Sequence, residues 1–174
     1  MAIALVAVGN VDRKLMEWLK MGLEGVFDEE VFIAGGMDEP GYAFNETRNQ
    51  YNSTAILSAL HEQRTGAAMG HGRLLGIVDH DLFANGLNFV FGEAWGGAAI
   101  IGIARLRQEF YGLPCDENIF KKRVLTEAVH ELGHTYGLGH CDEPDCVMFF
   151  SNTLSDTDRK GFSFCGRCRR RLRG

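Results

Sequence analysis

Proline is scarce, at 3 of 174 residues, and no apolar run approaches the roughly 18–20 residues that a membrane-spanning helix needs. The opening stretch, MAIALVAVGN, lacks the basic flank and the small-residue cleavage pattern of a secretory signal. These absences point to a cytoplasmic chain with no membrane partner. No internal repeat is present. A reducing compartment makes the five cysteines thiols or metal ligands rather than disulfides. Acid dominates most of the chain. Residues 159–174 carry seven Lys/Arg and no acid, which leaves −12 on the remainder of a chain whose net charge is −5. An acidic body argues against nucleic acid as the main partner, and the basic end, RCRRRLRG, reads as a solvated, partly helical tail. A monomer is expected.

What is present suffices for one ordinary domain. Hydrophobic residues make up 45% of the chain, enough for a core without disulfide support, and 22 glycines announce tight turns. AIALVAVG (2–9) is a continuous apolar run of the kind found in a strand buried on both faces. Asn10 or Asp12 can cap a helix over 12–24, where Leu15, Leu19 and Leu23 recur every four residues. A second strand follows at 30–35, and this strand–helix–strand order predicts a parallel pair with a crossover. Residues 36–52 read as a loop, and Ser53 as the cap of a helix to Arg64. Strands are expected at 73–83 and 87–95, the latter turning at Gly96-Gly97 into 98–106. A long helix should run from Glu117 to Gly137, and a short one capped by Ser155 or Asp156 should follow an irregular segment at 141–152. The expected fold class is α/β, with residues 1–140 as an N-terminal subdomain and 141–174 as a small irregular C-terminal one.

The chemistry concentrates in HELGHTYGLGHC, residues 130–141. On a helix, His130 and His134 stand one turn apart on one face and can hold one tetrahedral zinc. Leu125, Val129, Leu132 and Tyr136 fall on the opposite, core-facing side, while Thr126 shares the cleft side with His130. Glu131, about a quarter turn away, is placed to take a proton from a zinc-bound water. Gly137 can take φ > 0, end the helix and swing His140 back as the third ligand. Three neutral imidazoles leave a fourth position open, the plan of a catalytic zinc. Surface histidines on an amphipathic helix are the bland alternative, and the added Gly and third His weigh against it.

HExxHxxGxxH resembles the signature of the metzincin zinc peptidases. The resemblance implies a twisted mixed sheet leading to an active-site helix, and a methionine-containing turn under the metal. Met148, eight residues after His140, matches that turn. Its bland alternative is a core methionine filling a gap.

Cys141 and Cys146 (C-x4-C) and Cys165 and Cys168 (C-x2-C) are separated by eighteen residues, a spacing that suits a four-cysteine structural zinc site. Four unrelated thiols, or a redox pair at Cys165 and Cys168, are the alternatives. Cys141 follows His140 directly. As a fourth ligand to the first zinc it would close the open position. In extended chain, neighbouring side chains point to opposite sides, so His140 can face one zinc and Cys141 the other.

With both pairs included, the run from His130 to Cys168 is similar to the archaemetzincin family. This resemblance implies a minimal metzincin with two zinc ions, one catalytic and one structural. It also implies hydrolysis of peptide or protein substrates, with aminopeptidase action on short peptides as one option and endopeptidase action as the other. It puts a substrate-pairing edge strand at 88–94. Phe149 and Phe150 stand where some metzincins carry a zinc-approaching tyrosine. Glu93 reads as a solvated glutamate, with contact to a substrate amino group as the alternative. His61, His71 and His80 show no ligand spacing, and His80, in DHDL, suits a turn or cap. Two rival functions remain: a zinc-stabilised binding protein with a silent HExxH site, and a nucleic-acid module built on CxxC and the arginine tail.

Overall fold

A computed structural model of the chain describes residues 2–66 and 72–172. Its centre is a five-stranded sheet in the order β2-β1-β5-β8-β7. The strands are β1 (Ile3–Val8), β2 (Val31–Ile33), β5 (Arg73–Val78), β7 (Gly92–Trp95) and β8 (Ala98–Gly102). β1 pairs parallel to β2 and β5, and β5 parallel to β8, while β7 is the antiparallel edge. This is the mixed α/β sheet expected from the alternation of strands and helices.

Both faces of the parallel strands are covered, which is why β1 reads as an unbroken apolar run. Ile3, Leu5, Leu75, Ile77, Ala99 and Ile101 pack with α1 (Arg13–Phe27) and α3 (Glu117–Thr135). Val6, Val8, Leu74, Val78, Ala98 and Ile100 pack with α2 (Ser53–Gly66). α1 is capped by Asp12, whose side chain accepts from Lys14 N at 2.9 Å, and it buries Leu15, Leu19 and Leu23 as their spacing predicts.

Residues 36–52 depart from the expected loop. β3 (Phe44–Asn45) and β4 (Gln50–Asn52) form a second small sheet with β6 (Leu82–Phe83), in the order β3-β4-β6. Strands of two or three residues leave no periodicity to read. The first turn of α2 is bonded by Asn52, whose Oδ1 accepts from Ala55 N at 2.9 Å, and not by Ser53, whose hydroxyl is taken up by Glu93. The expected strand at 87–95 is a ladder only from Gly92. Leu87 O and Asn88 O are held instead by Arg48 Nη2, each at 2.9 Å. After α3 come α4 (Leu154–Lys160) and α5 (Gly166–Leu172). α4 is capped by Thr153 in a capping box with Asp156, two positions earlier than Ser155 and with Asp156 as the third residue of the helix. α5 carries the basic tail, so that segment is helical through Leu172. Among the described residues no helix is long and apolar enough to cross a membrane.

Candidate active site and cysteine centre

α3 starts at the Asp116 cap, where Oδ1 accepts from Ile119 N at 2.9 Å. The helix was expected to bury one face and offer the other to a metal. Instead it is buried on nearly all sides from Arg123 to Gly133, because the chain beyond residue 140 folds over the second side. Thr126 is fully buried and its hydroxyl donates back to Lys122 O, so it does not reach the cleft. The close fit depends on Gly133. A Cβ there would lie 2.4 Å from Met148 Sδ, so the methionine sits directly under the histidine turn of the helix.

α3 ends at Thr135, two residues short of Gly137. Gly137 has φ +81, with its N–H on His134 O at 2.9 Å and the N–H of Leu138 on Gly133 O at 3.2 Å. This pair of bonds is a Schellman motif, and its left-handed position suits glycine. The turn carries His140 back toward the other two histidines. Ring centroids are 5.5 Å apart for His130 and His140, and 4.9 Å for His134 and His140.

Two backbone carbonyls set the rings. His130 Nδ1 lies 2.7 Å from Val147 O, and His134 Nδ1 lies 2.8 Å from Leu138 O. A carbonyl oxygen only accepts, so each Nδ1 carries the proton and each Nε2 presents a bare lone pair. Those two Nε2 atoms are 3.2 Å apart. Facing lone pairs repel unless a cation lies between them. A tetrahedral zinc with bonds of about 2.0–2.1 Å sets its nitrogen ligands about 3.3 Å apart, so the donor set fits that ion. Burial pushes His130 well below the ordinary imidazole range, with Lys160 adding to it, and burial also lowers His134 and His140. All three are thereby held in the neutral form that a metal requires.

Glu131 is buried against β7. A Cβ at Gly92 would lie 2.6 Å from Glu131 Cγ and 2.8 Å from its Oε1, so glycine is what lets the carboxylate reach this position. Burial raises the Glu131 carboxyl well above its ordinary value, and neighbouring Glu127 raises it further. Beside it opens a cavity of about 170 Å³, lined by His130, Glu131, Glu127, residues 87–92 and residues 150–152. The expected substrate-facing stretch, 88–94, thus borders the cavity over residues 88–92. Glu93 points to the other face of the sheet, where Ser53 Oγ donates to it at 2.5 Å and Thr54 Oγ1 at 3.0 Å. It is therefore a half-buried surface glutamate held by two hydroxyls, and not an anchor for a substrate amine in the cavity.

The four cysteines also converge. Their Sγ atoms lie within 4.8 Å of one another, and Cys141 is 3.9 Å from Cys165. A disulfide needs about 2.05 Å. A tetrahedral zinc with sulfur bonds near 2.3 Å has edges of about 3.8 Å, which this spacing fits. Backbone N–H groups point at the sulfurs, from Cys165 to Cys146 and from Cys168 to Cys165. The N–H of Cys168 lowers the Cys165 thiol to about 7, whereas burial pushes Cys146 and Cys168 up. Arg167 donates to Cys141 Sγ at 3.2 Å and pairs with Asp142. His80 pairs with Glu39 and stacks on Tyr51, a structural role, and His71 lies outside the described residues.

The profile of peptidase family M54 matches residues 9–174. The chain belongs to peptidase family M54. It is similar to the archaemetzincin of Methanocaldococcus jannaschii, with 42% identity over 99% of this chain and 93% of the relative. The archaemetzincin of Pyrococcus abyssi is 40% identical over 98% of this chain and 93% of its own. Among solved structures, a zinc-dependent peptidase from Methanocorpusculum labreanum superposes with a TM-score of 0.90 at 32% identity, covering 98% of this chain and 99% of that one. The archaemetzincin of Archaeoglobus fulgidus, complexed with malonate, gives 0.84 at 38% identity, with 98% and 99% covered. This M54 chain is accordingly a zinc metallopeptidase, and peptides or proteins are its substrates.

Two features of the M54 site were not read from the sequence. Gly92 and Gly133 make room for Glu131 and Met148, but a glycine gives no local sign of what approaches it. Lys160 touches the histidine cluster from thirty residues away, and only folding brings it there.

Proposed function

We propose that this M54 peptidase works with two zinc ions. His130, His134 and His140 would hold the catalytic one, and Cys141, Cys146, Cys165 and Cys168 the structural one. The reading is carried by the two bare Nε2 atoms 3.2 Å apart, each on a ring oriented by a carbonyl, with His130 lining the same cavity as Glu131. Zinc bound there supplies a Lewis acid for the scissile carbonyl and the attacking water. Glu131 accepts the proton of that water and delivers it to the leaving amine. Its raised affinity for protons suits a group that must hold one between the two steps. Met148 packs beneath the ligand turn, and Gly137 aims His140.

The chain is read as two functional parts meeting at residues 140 and 141, one carrying the helix and one the staple, although a single core runs through both. Cytoplasmic location and a monomeric state complete the proposal, with nucleic acid excluded as the main partner. Aminopeptidase action on short peptides is the finer reading. It has no support from Glu93, and it is tested by comparing each peptide with its N-acetylated form. Acetylation should abolish cleavage if the free amine is recognised. The activity itself is tested by screening a peptide library with and without chelator. Chelator-sensitive cleavage is expected, and its absence across the library would favour a silent binding protein.

A further inference from the structure

Among the described residues Lys160 is the only buried lysine. Its ammonium, completely covered, is 3.2 Å from Glu127 Oε1, and it donates to Phe149 O at 3.3 Å. Thr157, one turn earlier on α4, donates its hydroxyl to the same Glu127 oxygen at 2.8 Å. α4 is locked to α3 by Arg123, which grips Asp158 through Nε at 2.7 Å and Nη2 at 2.8 Å. The ammonium is therefore held in place from several directions, and its partner carboxylate belongs to the cavity beside the histidines.

The rest of that cavity's wall is uncharged: Leu87, Phe89, Val90 and Phe91 are apolar, and Asn88, Ser151 and Asn152 are neutral polar residues. At about 170 Å³ it is smaller than the roughly 300–1,000 Å³ of a drug-sized ligand pocket, which suits a single side chain. Glu127 and Glu131 are its two acids. Glu131 has a role in the proton transfer, and Glu127 has none. A lone carboxylate at the base of such a cavity would draw a lysine or arginine side chain from a substrate.

We propose that Lys160 is a built-in counter-ion that occupies Glu127 from inside the protein and so reserves the cavity for apolar substrate side chains. A basic side chain entering it would find its carboxylate already paired and a like charge behind it. Discrimination then comes from a repulsive element as much as from the apolar part of the wall. The inference rests on the peptidase site proposed above. It makes Lys160 and Glu127 specificity determinants, not catalytic residues.

The test uses zinc-loaded enzyme and peptides carrying Leu, Phe, Lys or Arg at each residue flanking the scissile bond, with kcat/KM and zinc content measured together. Wild type should prefer Leu and Phe at one of the two positions by about tenfold or more. Lys160→Met should shift that ratio toward Lys and Arg by about tenfold, because it leaves Glu127 unpaired. The double variant E127Q/K160M, which removes both charges, should restore the apolar preference. A general structural defect would lower all peptides alike and overturn the proposal. Equal acceptance of Lys and Leu by wild type at both positions would also overturn it, and that arm stands even if Lys160→Met does not fold. If wild type cleaves nothing, the peptidase site itself has failed. The same contrast is then read as peptide binding to zinc-loaded Glu131→Gln protein by fluorescence anisotropy, where no apolar preference would sink the counter-ion.

Discussion

The histidine cluster and the cysteine cluster meet at adjacent residues, His140 and Cys141, yet one borders a cavity and the other is largely enclosed. His130 is buried, His134 half-buried and His140 exposed, whereas three of the four cysteines are buried. The histidines are neutral donors that do little to order themselves. Val147 O and Leu138 O fix their rings from outside, and burial keeps protons off them. The cysteines become anions when they bind, and backbone N–H groups already favour that state at Cys165. An open site thus needs its geometry imposed by surrounding structure, while a closed one imposes geometry on the chain around it. Cys141 N bonds Met148 O at 2.9 Å, so the staple also positions the methionine beneath the histidines.

Variants of each cluster can break this contrast. The largest effect is expected at Glu131. Replacement by Gln should lower kcat by about 10³-fold, in the range of a lost general base, with zinc content unchanged. Activity near wild type would remove Glu131 from the mechanism. On the cysteine side, Cys146→Ser should cost about 3 kcal/mol or more in denaturant unfolding of the zinc-loaded protein, because binding at that site is folding energy. A variant as stable as wild type would show that the staple is dispensable.

Cys141→Ser sharpens the comparison, since it asks whether the clusters are coupled. It should weaken zinc at the histidines by about tenfold, or about 1.4 kcal/mol, as well as zinc at the cysteines. Competition with a graded series of chelators reads both. In wild type the histidine zinc should leave first. Unchanged affinity at the histidines in the variant would make the two clusters independent. The smallest effect belongs to Gly137→Ala. A side chain at φ +81 should cost about 1 kcal/mol in thermal or denaturant unfolding and loosen the histidine zinc while sparing the cysteine zinc.

Much of this site was legible because its parts are local. A spacing of four positions from His130 to His134 means about one helical turn wherever the helix lies. Gly137 announces a helix end with a sharp exit, and the structure puts a Schellman motif there. The strand β1 was readable from its unbroken apolar run. The caps were read less well: Asn52 and Thr153 serve where Ser53 and Ser155 or Asp156 were expected, since neighbouring residues of similar chemistry compete for one bond. The alternative reading of Glu93, as a contact for a substrate amine, fails because alternation along β7 turns it away from Gly92 and the cleft.

Order and spacing along the chain settle which side chains can bind metal and in what sequence they are presented. They do so because ligand geometry within a turn or a short loop depends on backbone distances alone. Folding decides what surrounds those ligands: the carbonyl of Val147 behind His130, the space left by Gly92 for Glu131, and Lys160 paired with Glu127. These contacts join residues 17 to 39 positions apart, and no local rule of helix or strand foretells them. They arise when α4 and the chain after His140 close over α3, burying a helix that its own pattern would leave half open.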